Sequence, residues 1–121
     1  MTIEDPETYC ASLWNWECLN GCFGETSIKP TDIDGFIERK GRFLIIETKL
    51  PRADIPQGQE ITFKALLDTG HFTIMIIWGK PNEPEKIKVL AGSATKTYDP
   101  ADIEKLREIT KKWFKWADSE Y

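Results

Sequence analysis

The chain has 121 residues, 40% of them hydrophobic and 12% aromatic, which suits one compact domain over residues 1–121 with a modest core and leaves too little for two. A formal net charge of −4 argues against nucleic-acid binding through bulk positive charge, although phosphate contact needs only a few well-placed Lys or Arg side chains or bound metal ions. The longest apolar run, 72–78, is far too short to cross a bilayer, and the polar, acidic start lacks the blocks of a signal peptide. The three cysteines all fall between Cys10 and Cys22, a poor disulfide framework, so a cytoplasmic protein with no membrane partner is expected.

Taken in order, residues 5–22 read as a helix capped by Asp5 with Pro6 at its first position. Cys10, Trp14, Cys18 and Cys22 recur every fourth residue and predict a buried stripe. A zinc site there is disfavoured, because His71 is the chain's only histidine. Residues 25–29 read as a short edge strand or a loop. Pro30 opens a hairpin whose turn is Arg39-Lys40-Gly41 and whose second strand ends at Lys49. A Pro- and Gly-containing loop follows, and from Gln59 a helical period through Ile61 or Thr62, Phe63, Leu66 and Leu67 stops at Gly70. Residues 72–78 predict a strand buried on both faces and parallel to the hairpin's second strand. Ile87, Val89 and Ala91 alternate with Lys86 and Lys88 in a more exposed edge strand, and Asp99-Pro100 opens a last helix whose core stripe is Ile103, Leu106, Ile109 or Thr110, Trp113 and Ala117. The fold class is α/β, a mixed sheet of four or five strands flanked by helices.

The chemistry concentrates at the hairpin. Ile45, Glu47 and Lys49 share one strand face, so a carboxylate and an ammonium project side by side among apolar neighbours. Such charges lose hydration and need compensation from each other or from a cation held between Glu47 and a second carboxylate, for which Asp32 and Asp34 are placed. Two carboxylates suit Mg²⁺ or Mn²⁺, and Lys49 can position or deprotonate water, a set fit for phosphodiester hydrolysis. A plain surface ion pair between Glu47 and Lys49 is the structural alternative. Lys105, Arg107, Lys111, Lys112 and Lys115 of the last helix read as a solvated face or as a phosphate-contacting rim.

Asp-Ile-Asp-Gly, a glycine turn and then Ile45-Ile46-Glu47-Thr48-Lys49 resemble the PD-(D/E)XK nuclease superfamily, and the Gln59 helix and following apolar strand look most like its virus-type replication-repair and small phage nuclease branch. The resemblance covers about residues 30–79. It implies a restriction-endonuclease-like αβββαβ core with an added C-terminal helix, a phage source, a metal-dependent deoxyribonuclease activity and Mg²⁺ or Mn²⁺ as cofactor. It assigns Asp34, Glu47, Lys49 and Gln59 to catalysis, with Asp32 and Gln57 as competitors. Asp34, Glu47 and the backbone carbonyl of Thr48 become metal ligands, and Glu17 is a further candidate from the first helix. DNA is the implied partner, with a homodimer as the usual way such small nucleases reach both strands. The rival classes are a catalytically idle nuclease fold serving as a nucleic-acid-binding or protein-interaction subunit, and a structural protein that associates through Trp14, Trp16, Trp78, Trp113 and Trp116.

Overall fold

Alternation along strand β2 (Arg42–Lys49) sends Leu44 and Ile46 to one face of a sheet and Ile45, Glu47 and Lys49 to the other, and a core layer forms on each side. The computed structural model describes residues 6–120, and the chain divides into two units, Met1–Asp32 and Ile33–Tyr121. The expected cap Asp5 lies outside the described residues.

The first unit holds helix α1 (Pro6–Ser12) and a 3₁₀ turn (Glu17–Leu19). The long helix expected over 5–22 is not formed. Its supposed stripe repeats every four residues, but a helix turns once in 3.6, so Cys10 and Cys22 drift to different faces and no single stripe can be buried. Trp16 adopts a left-handed φ of 65°, and all three cysteines are free and exposed. Residues 25–29 form no strand.

The second unit is an α/β fold with one five-stranded mixed sheet in the order β1 (Gly35–Arg39), β2, β3 (Phe72–Lys80), β4 (Glu83–Ala91) and β5 (Ala94–Tyr98). β1 and β2 form an antiparallel hairpin closed at Arg39↔Arg42. Its two-residue turn, Lys40-Gly41, has positive φ at both positions, 52° and 79°, the turn whose twist matches the flanking strands. Helix α2 (Gln57–Asp68) connects β2 to β3, which pair in parallel from Phe43↔Phe72 to Lys49↔Trp78. β3, β4 and β5 continue as an antiparallel meander. β5 was not foreseen, and it makes β4 an interior strand rather than the expected edge.

Helix α2 lays Phe63, Leu66 and Leu67 against Ile45, Ile74, Ile76 and Trp78 on one sheet face. Helix α3 (Ile103–Asp118) lays Ile109, Trp113 and Ala117 against Leu44, Met75 and Ile87 on the other. The cap of α3 is Asp102, whose carboxylate accepts from the Lys105 N–H, three residues beyond the expected Asp99 start. Trp78 and Trp113 are thus buried in opposite layers, so the five tryptophans do not make one association surface. Among the described residues no helix is long and apolar enough to cross a membrane.

The hairpin turn grips the end of α3. Arg42, only 3% exposed, donates to the carbonyls of Trp116 and Ser119 and stacks 4.4 Å from the Trp116 ring centroid. Arg39 pairs with Asp118 at 2.5 Å, and Lys40 donates to the Asp118 carbonyl at 2.7 Å. Three cations therefore meet the negative end of the helix dipole.

Two predictions arise from this packing. Gly79 has φ 153°, and a Cβ there would meet the Glu83 carbonyl oxygen at 2.4 Å beside the β3–β4 register shift. Gly79→Ala is therefore expected to lower stability by about 1–3 kcal/mol, read from urea unfolding midpoints. The Arg39 hydrogen bond, helped by Lys40, holds the Asp118 carboxyl below its ordinary value. A depressed folded value stabilises above the ordinary carboxylate range and is lost as pH falls through it. The melting temperatures of the native chain and Asp118→Asn should accordingly differ at neutral pH and converge in acid.

Candidate active site

Since β2 and β3 are parallel, α2 must return antiparallel to both. Its first turn therefore lies at the carboxyl end of β2, level with Lys49 and Trp78. Ligands of open α/β sheets collect at this end of the strands. Glu47 and Lys49 stand here on the α2 face, their side chains only 12% and 16% exposed, with Lys49 Nζ 3.4 Å from Glu47 Oε1. Removing both charges this far from water is unfavourable, and at 3.4 Å they offset part of that loss mutually.

Gln59 lies one turn before Phe63 on the stripe of α2 that faces the sheet. Its Oε1 is buried with no hydrogen-bond partner. A buried carbonyl oxygen without a donor is unfavourable by about 1–3 kcal/mol and marks a place where a donor is due. Gln57 opens the helix and is exposed, so the structure sets Gln59 on the sheet-facing stripe and Gln57 off it.

Neither Asp32 nor Asp34 lies within a strand, as the sequence had suggested, because β1 begins at Gly35. Asp34 Oδ2 accepts from the Thr48 backbone N–H at 2.8 Å and from Thr48 Oγ1 at 3.0 Å. The register Gly35↔Ile46 puts Asp34 beside Glu47, one residue beyond the end of the ladder. Its carboxylate thus takes the place of a missing strand carbonyl. Because an extended residue points its N–H and C=O to the same edge, the Thr48 carbonyl also faces this side. Asp32 belongs to the first unit and is exposed. Glu17 is also in that unit, exposed at the start of the 3₁₀ turn, not on the long helix from which it was expected to reach the site.

Among the described residues no three His, Cys, Asp or Glu side chains gather as a closed metal cage. Asp34, just before β1, and Glu47, in β2, remain as hard oxygen donors. The Thr48 side-chain link to Asp34 escaped the sequence reading, although an Asp just before a strand facing a Thr on its partner is a recognisable local pairing. Comparison with family models, with curated proteins and with solved structures finds no match for this chain.

The Asp34–Thr48 link has a measurable weight. Asp34→Ala should destabilise the fold by about 1 kcal/mol through loss of its two hydrogen bonds from Thr48, with Asp34→Asn, which keeps an acceptor oxygen, losing less in urea titrations.

Proposed function

We propose that the chain is a metal-dependent deoxyribonuclease of the PD-(D/E)XK type, with the hairpin, α2 and β3 as its restriction-endonuclease-like core. The observation that carries this reading is the Glu47–Lys49 pair, nearly buried at the carboxyl end of β2 and level with the first turn of α2, where Gln59 keeps a buried, unpartnered oxygen. A strand that served only as scaffold gains nothing from two half-desolvated charges, and the first turn of α2 adds an amide oxygen without a donor.

The donor set fits Mg²⁺ or Mn²⁺. Mg²⁺ prefers one or two carboxylates with retained waters and substrate oxygens to an all-protein cage, which agrees with two carboxylates and no third. Asp34, Glu47 and the Thr48 carbonyl would hold it. When bound, the ion supplies charge neutralisation at the phosphate and an acidified water. The chain's own residues do the rest. Lys49, held as an ammonium by Glu47, donates a hydrogen bond to the attacking water or to the phosphate, and the Gln59 oxygen accepts one from Lys49 or that water, fixing its direction. Attack of the water forms a new P–O bond as its proton passes to solvent water, and the bond to the leaving oxygen breaks as that oxygen takes a proton from solvent water.

A catalytically idle nuclease fold acting as a binding subunit is the second reading. It is favoured by the bonds that occupy Asp34 and Glu47, one with Thr48 and one with Lys49. Cleavage separates the two. Native protein should cut at least one of linear, nicked, branched or single-stranded DNA in Mg²⁺ or Mn²⁺. Glu47→Ala and Lys49→Ala should each lose on the order of 10²-fold or more while remaining folded. Mn²⁺ should raise the melting temperature of the native chain and not that of Glu47→Ala. Absence of cleavage together with no Mn²⁺ effect would overturn the nuclease assignment.

A further inference from the structure

The register carries the Glu47 face across the sheet. Glu47 is level with Ile76, Ile76 with Lys88 and Lys88 with Thr97, while Lys49 is level with Trp78 and Trp78 with Lys86. Lys86 and Lys88 share the parity of Leu90, which packs in the α2-side core, so both side chains rise from the same face as Glu47 and Lys49. The lysines and arginine of α3 belong to the opposite face, because α3 covers Leu44, Met75 and Ile87. The rim that the sequence suggested on α3 is therefore on the wrong side of the sheet for this site.

Lys86 and Lys88 are partly buried, yet neither forms an ion pair with a described carboxylate. The Lys86 ammonium is instead held 4.7 Å from the Trp78 ring centroid, and the Trp78 indole N–H is fixed by the Ala53 carbonyl at 2.7 Å. Both lysines and Arg52 border a cavity of about 670 Å³ that Asp54, Glu60, Glu85 and Asp99 also reach, none of them in an ion pair with either lysine. Half-buried lysines whose ammoniums pair with no described carboxylate leave their charge open to an anion from outside. β2 and β4 are two strand spacings apart, about 10 Å, so this anion is not the group at Glu47 but a neighbour of it.

We infer that Lys86 and Lys88 hold backbone phosphates of a nucleic-acid strand beside the one that reaches Glu47 and Lys49. The inference rests on the nuclease reading for its choice of ligand and goes beyond it in naming where the strand runs, over β3 and β4 on the α2 face. Trp78, pinned at its indole nitrogen, positions the first ammonium.

The test is binding of fluorescent duplex and single-stranded DNA by the full chain in chelator, where nothing is cut, across a salt series. Lys86→Met/Lys88→Met keeps the apolar stems and removes two charges. Lys111→Ala/Lys115→Ala removes two charges from α3. The first double variant should reduce the slope of log affinity against log salt by about 2, the α3 variant should leave it unchanged, and Lys86→Arg/Lys88→Arg should restore it. Melting temperatures confirm folding. Equal loss in both doubles, loss only in the α3 variant, or no binding by the native chain overturns the inference. If binding depends on Lys86 and Lys88 but no DNA is cut, the phosphate track stands and the nuclease reading falls. If cutting depends on Glu47 while the lysine variant binds normally, the reverse holds.

Discussion

Everything in the second unit depends on the parallel pairing of β2 with β3. It commits seven consecutive residues of β2, Phe43 to Lys49, to partners in β3, and it obliges the chain to cross the sheet through α2. Ile74, Met75 and Ile76 are fully buried in the middle of this pair because both faces are covered, one by α2 and the other by α3. The crossover also delivers the first turn of α2 to the one end of β2 where two charged residues interrupt an otherwise apolar strand. Fold and site are consequences of the same connection.

The energetics of that end are uneven. A row of buried aliphatic side chains stabilises the sheet centre at about 25 cal/mol per Å² of apolar surface removed from water, while Glu47, Lys49 and Gln59 detract from stability a few residues away. Stability and polar pre-organisation are thus segregated along one strand. The core holds the backbone rigid, and the polar end inherits that rigidity without contributing to it.

Local pattern revealed the hairpin, the middle helix, the buried strand and the last helix, because each is a run whose period or turn residues are decisive by themselves. The opposite directions of Ile45 and Leu44, with Glu47 sharing the first, were legible from alternation alone. The first helix was misjudged because a spacing of four resembles a helical stripe over two repeats and departs from it over three. β5 is short and has no aliphatic run, so its signal lies in Thr95, Thr97 and Tyr98, which favour strands, and in Gly92-Ser93, a two-residue hairpin turn that pairs it with β4. At the site, the Glu47–Lys49 adjacency and Gln59 were visible in sequence. Asp34 was preferred to Asp32 from the resemblance, the Thr48 contact adds its local anchoring, and the company of Lys86 and Lys88 needed the sheet register, which no local window contains.

The edge strand β1 has one strand neighbour, β2, and five residues. Its turn end is moored to α3 through Arg39, Lys40 and Arg42, and its other end by the Asp34 carboxylate on Thr48. The strand therefore behaves as a short rod about 16 Å long, pinned at both tips by ionic or charge-assisted contacts and free of a second ladder along its length. Both ends of the strand next to Asp34 are therefore fixed by contacts outside its ladder, so the backbone that aims this carboxylate is held in place by the last helix as well as by β2.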